Sequence, residues 1–237
     1  LAFGVYVATA GAVARQSQLD IVANNLANVS TPGYRAQEVG FLEVLRSQGA
    51  PDRHLVMTGQ KRLDTTPGHL EETGNPSDLS LDGPGFFGVL GPENEPLLTR
   101  TLNVRVDEQG QLVDSAGQIV ITDGPGPELD PGLPVVVSAQ GRVQQGSEVV
   151  GQILVFDVTH PAFMAARGNR LYVPTDESGP AFEVEGVVRS GVQESSNVNA
   201  VQSMVKLIRV ERDFQSLMKV LMSYKQADES LIQQTSG

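Results

Sequence analysis

The chain has 237 residues, of which 40% are apolar and none is cysteine. This length and composition are typical of a globular protein with a buried core, and the absence of cysteine excludes disulfides, thiolate catalysis and cysteine-ligated zinc. The net charge of −11 argues against a nucleic-acid partner, because binding to phosphates requires a basic face.

The N-terminal segment is predicted to form one long helix. From Val5 onward a series of mainly apolar residues recurs at alternating spacings of three and four, and only Arg15 interrupts it; this is the pattern of a helix with one buried stripe. Pro32 and Gly33 are expected to end the helix, because the residue before a proline is pushed away from helical geometry. The first segment, residues 1–33, would then hold a helix of about 30 residues that is roughly 45 Å long. The stripe consists of Val5, Ala8, Ala12, Arg15, Leu19, Val22, Leu26 and Val29.

We expect that this apolar start is not a cleaved signal peptide. Ala12-Val13-Ala14 resembles a signal-peptidase site, but no basic segment precedes it and the helical periodicity continues past it. The sequence also lacks a run of about 20 apolar residues, so no transmembrane helix is predicted.

Three asparagines, Asn24, Asn25 and Asn28, interrupt the end of the predicted helix. Asparagine favours helix ends and turns, so capping or simple exposure to solvent is one explanation. The alternative is that these neutral amides, which both donate and accept hydrogen bonds, lie on a face buried against another subunit, where an unpaired charge would be costly. We favour the second explanation, because Ile21 occupies the same heptad position as Asn28 and gives that outward face apolar character.

The middle of the chain is predicted to be an extended connector, residues 34–78, followed by a mainly antiparallel β domain, residues 79–194. Between the two ends lie 13 of the 14 prolines and 21 of the 25 glycines, and they separate short apolar runs as turns separate strands. Residues 35–196 contain 11 basic and 23 acidic side chains, so this part of the chain is the acidic one. Asp107 and Gly110 resemble part of a calcium loop, but the EF-hand spacing is missing and a turn is the better explanation.

The C-terminal segment, residues 195–237, is predicted to contain a second long helix, which over residues 198–234 would be about 55 Å long. Ser196 or Asn197 could cap its start. Apolar residues also lie outside its main stripe, Val205, Ile208 and Met222 among them, so the helix is apolar on more than one face. The main stripe, which only Asp228 interrupts, consists of Leu207, Val210, Phe214, Leu217, Leu221, Tyr224 and Leu231.

The two helices share one period, so they are predicted to pair as a coiled-coil-like core with the β domain inserted between them. The fold class is therefore α+β. A pair of helices with several apolar faces would still expose apolar surface, and this indicates further protein partners.

Catalytic, cofactor-binding and metal-ligating motifs are not found in the sequence. The three histidines, His54, His69 and His160, lack the spacing of metal ligands. Asp82-Gly83-Pro84-Gly85 is not followed by the Lys-Ser/Thr pair of a P-loop. No pair of carboxylates stands out as a glycosidase pair. We therefore expect a protein that is not an enzyme and that has no cofactor, no metal and no small-molecule substrate.

The segment LDIVANNLANVSTPGYRAQ, residues 19–37, closely resembles the N-terminal signature of the bacterial flagellar rod and hook proteins. Four further segments resemble blocks of the same family in the same order: TGNPSDLSLDGPGFF (73–87), TRTLNVRVDEQGQLVDSAGQIV (99–120), GNRLYVPTDESGPA (168–181) and SSNVNAVQSMVKLIRVERDFQSLMKVLMSYKQADE (195–229). Within the family, residues 196–201 and 214–220 are most similar to the proximal-rod member, and the distal-rod member is second.

This resemblance implies a non-enzymatic structural subunit of the flagellar basal-body rod. Such a subunit would leave the cell through the flagellar type III export apparatus without a cleaved signal peptide. Copies of the chain and other rod proteins would be its partners in a helical tube that crosses the periplasm and transmits torque from motor to hook. We expect its helix-packing and subunit contacts to involve Leu19, Ile21, Val22, Asn24, Asn25, Leu26, Asn28, Val29, Leu207, Val210, Phe214, Leu217, Leu221 and Tyr224.

An alternative of another class is an exported β module that binds or hydrolyses glycans and uses its helical ends to form oligomers. Binding or turnover of cell-wall glycan by the β domain would favour this alternative.

Overall fold

A computed structural model of the chain describes residues 2–45, 54–124, 129–168 and 170–235. The chain divides into two compact units. The helical unit consists of residues 1–27, 37–62 and 198–237, and the β unit consists of residues 28–36 and 63–197. The predicted α+β class is confirmed. Residues 46–53 of the predicted connector lie outside the described residues.

The helical unit is built from two long helices and a pair of strands. The elements are helix α1 (Ala2–Ala27), strands β1 (Gln37–Leu45) and β2 (His54–Leu63), which pair with each other, and helix α2 (Ala200–Thr235). At 1.5 Å per residue, α1 is roughly 39 Å long and α2 roughly 54 Å long. Strands β1 and β2 lie in the range that the sequence analysis assigned to an extended connector, and it did not identify them.

Helices α1 and α2 lie side by side in opposite directions. A Cβ atom built on Gly4 would lie 2.7 Å from the Tyr224 hydroxyl oxygen, and one built on Gly11 would lie 3.5 Å from Cδ1 of Leu217. Farther along, Arg15 Nη2 lies 3.4 Å from Asp213 Oδ2. The α2 partner number falls as the α1 number rises, so the pair is antiparallel. This ion pair also explains why the apolar stripe of α1 contains an arginine.

The first turn of α2 is capped by Asn199, whose Oδ1 accepts a hydrogen bond from the Gln202 amide at 3.0 Å. The prediction that Ser196 or Asn197 caps the helix is therefore wrong. The Asn197 side chain is used elsewhere: its Oδ1 accepts a hydrogen bond from the Ala36 amide at 2.7 Å. Asn199 therefore caps α2, whereas Asn197, two residues earlier, joins two segments of the chain.

Helix α1 ends at Ala27, five residues before Pro32. A turn follows, in which the Thr31 amide donates to the Asn28 carbonyl oxygen at 3.1 Å. Gly33 then adopts φ +73, and a Cβ atom at this position would lie 2.8 Å from Thr101 Oγ1. Glycine is needed there because both the left-handed backbone and the close approach exclude a side chain.

The β unit contains short antiparallel strands arranged in several small sheets and one larger sheet. In the largest sheet the strand order is β15–β16–β6–β5–β10–β9–β8, and β14 pairs with both β5 and β17. Smaller sheets have the orders β18–β4–β7, β11–β12–β13 and β19–β3. A short 3₁₀ helix spans Pro161–Phe163. The strands are β3 (Leu70–Glu72), β4 (Asp78–Asp82), β5 (Phe86–Leu90), β6 (Pro96–Thr99), β7 (Thr101–Asn103), β8 (Arg105–Val106), β9 (Leu112–Val113), β10 (Ile119–Val120), β11 (Val135–Val137), β12 (Arg142–Gln145), β13 (Glu148–Gln152), β14 (Val155–Asp157), β15 (Ala165–Ala166), β16 (Tyr172–Val173), β17 (Phe182–Val184), β18 (Val187–Ser190) and β19 (Val192–Glu194).

The larger of two apolar clusters among the described residues of the β unit packs these sheets together. Its largest fully buried members come from strands β4, β5, β6, β7 and β9, which bring leucine, valine and one phenylalanine to a common interior. With few aromatic side chains, close packing of branched aliphatic groups has to supply the dispersion contacts. These core side chains include Leu79, Leu81, Phe87, Val89, Leu97, Leu102 and Leu112.

The predicted turn at Asp107 is confirmed, and its chemistry is that of an Asx turn. Asp107 Oδ1 accepts hydrogen bonds from the Gln109 and Gln111 amides at 3.0 and 2.7 Å. Asp114 repeats the arrangement with the amides of Ala116 and Gln118. Both carboxylates thus accept hydrogen bonds from backbone amides of their own turns. The described residues contain no cluster suited to a metal ion. Within the described part of the chain, neither helix is apolar enough over a sufficient length to cross a bilayer.

Candidate functional site: helix surfaces and a buried charge cluster

The predicted stripe residues that belong to α1 and α2 lie on the covered sides of these helices, whereas Val29 lies in the turn after α1. Val22 and Val210 are buried, and the other described members of both stripes are buried or half-buried. The heptad pattern therefore marks the sides of the helices that are covered within the chain. Half-buried members are Leu19, Leu26, Val29, Leu207, Phe214, Leu217, Leu221 and Tyr224.

A second apolar surface on α2 is exposed. We call it the α2 apolar patch; it consists of Val201, Met204, Val205 and Ile208, whose exposed fractions lie between 51% and 72%. Their spacing of three, four and seven residues puts them on one face over two helical turns. A contiguous apolar face of this kind is unusual on a soluble monomer and indicates a protein partner.

Helix α1 also exposes large apolar side chains, Tyr6 and Val13, each 62% exposed. They lie seven residues apart, so they share one face of the helix. Each helix of the pair therefore presents apolar groups away from its covered stripe.

The asparagines at the end of α1 have different environments. Asn24 is exposed and Asn28 is half-buried, and the Asn28 side-chain oxygen lies 3.2 Å from Thr31 Oγ1, which donates to it. Asn25 is buried, together with Ile21. Contact with a neighbouring subunit stays a prediction for all four residues.

For Asn25 the structure shows a partner within the chain. Its Nδ2 donates to the Gln37 carbonyl oxygen and its Oδ1 accepts from the Gln37 amide, both at 2.8 Å. The amide side chain thus pairs with the first residue of β1 as a neighbouring strand would, which a charged or hydroxyl side chain could not reproduce. At Asn25, strand β1 of the same chain therefore covers this side of α1.

Replacing Asn25 with alanine is expected to cost about 1–3 kcal/mol of stability in the helical unit, because two backbone groups of Gln37 lose their partner. Amide hydrogen exchange provides the measurement: the Gln37 amide should exchange much faster in N25A than in the wild type. The matched control is Asn24→Ala, which alters an exposed side chain one residue away. Equal protection of Gln37 in N25A and the wild type would contradict the pairing.

The β unit contains a buried charge cluster that the sequence analysis missed. Glu194 Oε1 lies 2.6 Å from Arg35 Nη2, and Glu194 Oε2 lies 2.8 Å from Arg100 Nη2. The three side chains are only 1%, 5% and 3% exposed, in the order Glu194, Arg35 and Arg100. Arg100 Nε also donates to Glu194 Oε2 at 2.8 Å. One carboxylate thus joins two guanidinium groups away from water.

The charge cluster joins chain segments that are far apart in sequence. Glu194 Oε1 accepts from the Gly68 amide at 2.8 Å, and Arg35 donates to the Thr66 carbonyl oxygen. Arg100 donates to the carbonyl oxygens of Gly83, at 2.9 Å, and Gly85. These bonds satisfy the buried charges, which would otherwise be strongly unfavourable.

Tyr172 and Asn197 extend this network. The Tyr172 hydroxyl accepts from the Arg35 amide at 2.7 Å and donates to the Gly33 carbonyl oxygen at 3.1 Å. Burial raises the pKa of Tyr172 well above its usual value. Asn197 Nδ2 donates to the carbonyl oxygens of Asp64 and Thr66 at 3.0 and 2.9 Å. The network thus holds together residues 33–36, 64–68 and 194–197.

Burial also lowers the pKa of the Arg35 guanidinium. The Glu194 carboxylate opposes this shift and the neighbouring Arg100 charge adds to it. Two cations share one anion, so the cluster carries one positive charge in excess.

The sequence contained a signal for this network. Arg35, Arg100, Tyr172 and Asn197 each lie inside one of the segments that resemble the rod and hook family, and Glu194 directly precedes the last segment. Single charged residues in otherwise apolar or turn-rich segments are candidates for buried pairs. Their pairing could not be deduced, because Arg35 and Glu194 are 159 positions apart.

A cleft of about 620 Å³ lies above the charge cluster in the β unit. Its buried apolar lining includes Leu63, Leu81, Phe86 and Met164, and Arg35, Arg100 and Glu194 line it as well. Two of the carboxylates that line the cleft are poorly suited to glycoside hydrolysis, because Glu194 is held by two arginines and Asp82 pairs with Arg189 at 3.2 Å. The glycan-hydrolase alternative therefore gains no support from this cleft.

Comparison with known proteins gives consistent matches along the chain. Residues 5–35 match the family model described as "Flagella basal body rod protein", and residues 189–234 match the one described as "Flagellar basal body rod FlgEFG protein C-terminal". These two matches include nearly all of α1 and nearly all of α2.

Relatives match over most of their length. The flagellar basal-body rod protein FlgF of Mesorhizobium japonicum is 32% identical over 90% of this chain and 89% of its own. FlgF of Escherichia coli is 33% identical over 92% of both chains. A protein named FlgG, from Buchnera aphidicola, is 28% identical over 89% of this chain and 91% of its own.

Proposed function

Because the chain belongs to the flagellar basal-body rod protein family, with FlgF first among its relatives and FlgG next, we propose that it is a structural subunit that assembles through its terminal helices into a helical tube. The tube would be the basal-body rod, which crosses the periplasm and transmits torque from motor to hook. The chain would occupy it together with copies of itself and other rod proteins.

The α2 apolar patch is the observation that carries this proposal. The covered stripes of α1 and α2 are buried or half-buried within one chain, yet the four large apolar side chains of the patch remain exposed on one face of α2. Burying such a face against a neighbouring helix would remove apolar surface from water and so favour assembly. We propose that heptad packing, of the kind that defines a coiled coil, operates both within the helix pair and between neighbouring subunits.

Torque transmission requires stiffness, and closely packed helices would supply it. Packed protein interiors have low compressibility, so a tube of interlocked helices would resist twisting. The predicted contact residues, Asn24 and Asn28 among them, are part of this proposal. So is the division of the chain into residues 1–33, 34–78, 79–194 and 195–237.

Delivery to the rod is proposed to occur through the flagellar type III export apparatus.

Electron microscopy of the concentrated protein tests the proposal. We expect tubes of uniform diameter with helical order. Small closed oligomers at every concentration, with no tubes, would contradict assembly into a rod.

A further inference from the structure

Helix α2 carries a line of exposed side chains that begins in the α2 apolar patch and continues past it. Successive members lie four and three residues apart in alternation, which is the spacing of a coiled-coil contact line. Its first part is apolar and its second part is mainly polar and basic. We call this line the α2 seam; it consists of Val201, Val205, Ile208, Arg212, Gln215, Lys219 and Met222, all of them exposed.

Helix α1 carries a second exposed line with the same alternating spacing. It lies apart from the covered stripe of α1 and includes the exposed Tyr6 and Val13. After the two helices have packed against each other within the chain, each therefore still presents a complete contact line to solvent. We call the second line the α1 seam; it consists of Tyr6, Thr9, Val13, Gln16, Asp20, Ala23 and Ala27, all of them exposed.

The two seams carry charges of opposite sign that are not paired within the described residues. Asp20 accepts a hydrogen bond from the Gln16 side chain at 3.0 Å and forms no ion pair in the described part of the chain. The Arg212 guanidinium forms neither a hydrogen bond nor an ion pair there; only its carbonyl oxygen is used, by the Ser216 hydroxyl. An acid on one seam and a base on the other are thus both available to a partner.

One alignment of the seams matches their apolar and their charged members together. Val13 and Asp20 are seven residues apart, and so are Val205 and Arg212. With the two helices parallel, Val13 lies opposite Val205 and Asp20 lies opposite Arg212. A parallel displacement by seven residues sets Asp20 against Val205 or Val13 against Arg212. No antiparallel alignment that keeps the seam members opposite one another sets Asp20 against a basic residue.

The parallel alignment requires two copies of the chain. Within one chain α1 and α2 run in opposite directions, as the contacts of Gly4 with Tyr224 and of Arg15 with Asp213 show. A parallel contact between an α1 and an α2 therefore joins different molecules. It would extend from Thr9 to Ala27 of α1, which is about 27 Å along the helix.

Two α2 seams fit each other less well than an α1 and an α2 seam do. A parallel α2–α2 contact sets Arg212 against Arg212 in register, and against Lys219 after a displacement by seven residues. An antiparallel α2–α2 contact has two-fold symmetry, so it closes into a dimer and cannot continue into a tube.

The β unit offers no surface of matching period. Its large exposed apolar side chains come from one turn and four separate strands, on which side chains alternate with a period of two. They cannot follow the alternating spacing of four and three along α2. These side chains are Leu133, Val136, Val149, Phe182 and Val187.

We propose that the α1 seam of one copy packs against the α2 seam of a second copy, with the helices parallel, Val13 beside Val205 and Asp20 paired with Arg212. The contact joins two different surfaces, so it repeats from copy to copy without closing. Each helix then makes an antiparallel contact within its chain and a parallel one between chains. The inference rests on the proposed function, because it identifies the surface of the neighbouring subunit that covers the α2 apolar patch.

Disulfide formation between assembled copies tests the alignment, because the chain has no cysteine of its own. Val13→Cys and Val205→Cys both alter exposed side chains. The two full-length variants are mixed, one of them labelled with ¹⁵N, then assembled and oxidised. Mass spectrometry separates mixed from homologous dimers. A disulfide requires Cα atoms within about 7 Å of each other, so it reports direct opposition. Gln215→Cys, farther along the same seam, and Phe182→Cys, on the β unit, replace V205C in the controls.

We expect a mixed disulfide from V13C with V205C and none from V13C with Q215C or F182C. Tubes that form without the V13C–V205C product would overturn the inference and leave the proposed function standing. A product with Q215C in its place would show an antiparallel contact, and one with F182C a contact with the β unit; either would also overturn it. Absence of tubes altogether would count against the proposed function and the inference together.

Exchanging the two charges gives an independent readout. Asp20→Arg and Arg212→Asp alter exposed side chains, so the unfolding curve of the monomer should not shift. Each should raise the critical concentration for assembly about tenfold, because like charges then meet in the contact. The double variant D20R/R212D restores opposite charges and should assemble like the wild type. Lys219→Asp serves as the matched control, since Lys219 lies opposite Ala27 in this alignment, and D20R/K219D should stay as impaired as D20R.

The charge exchange can also refute the alignment. Equal critical concentrations for D20R and the wild type would remove Asp20 from the contact. Rescue of D20R by K219D and not by R212D would show that the helices are displaced by seven residues, which overturns the proposed register.

Discussion

Replacing Glu194 with glutamine is expected to lower the free energy of unfolding of the β unit by about 3–5 kcal/mol, since removing one partner of a buried ion pair leaves uncompensated charge. The substitution keeps the shape of the side chain, so packing is unchanged. Arg35 and Arg100 would remain buried without their shared carboxylate. Urea unfolding followed by circular dichroism measures the loss.

The matched control for this prediction is Glu185→Gln, which removes the same charge from an exposed position on the same unit. Surface substitutions of this kind usually change stability by less than about 0.5 kcal/mol. If E194Q and E185Q unfold at the same urea concentration, the charge cluster does not hold the β unit together. Hydrogen exchange should also show early opening at Gly68, whose amide donates to Glu194.

Replacing Ile208 with aspartate is expected to abolish assembly while leaving the monomer folded. Ile208 is exposed within the α2 apolar patch, so the carboxylate is hydrated in the free chain. In a subunit contact it would be buried among apolar side chains, at a cost of several kcal/mol. Each 1.4 kcal/mol corresponds to a tenfold change in affinity, so the critical concentration should rise by at least about a hundredfold. Analytical ultracentrifugation measures it.

Two further variants separate assembly from folding. Val210→Asp introduces the same charge two residues away at a buried position, and it should destabilise the helical unit itself. Gln226→Asp introduces it at an exposed polar position of the same helix and should alter neither property. Assembly of I208D at the wild-type concentration would remove the α2 apolar patch from the proposed contact.

The helices were the most predictable part of the fold, because their signal is local. The 3.5-residue repeat identified the covered side of each helix. Val22 on α1 and Val210 on α2 are buried examples. The ends were less predictable. α1 ends at Ala27, before the proline that was expected to stop it, and α2 is capped by Asn199.

Asparagine side chains show why the rest was harder to predict. The neutral amide of Asn25 suits a buried position, because it can both donate and accept hydrogen bonds. Its partner is the Gln37 backbone. The identity of that partner depends on strand β1, which the sequence analysis had assigned to a connector. The sequence does not distinguish an asparagine that pairs with a strand backbone from one that contacts another subunit.

The charge cluster depends on contacts that no local pattern records. Arg35, Arg100 and Glu194 come from segments separated by turns and strands, and only the folded chain brings them together. The family resemblance indicated the segments that contain or adjoin these residues, and the structure identified the ion pairs between them. The cleft above the cluster likewise follows from the arrangement of these segments.

Density for this chain within purified basal bodies would test the central claim most directly. The account predicts that the chain occupies the rod and that a helix of an adjacent subunit covers Val201, Met204, Val205 and Ile208. A rod that lacks this chain, or one in which these four side chains face solvent, would contradict it.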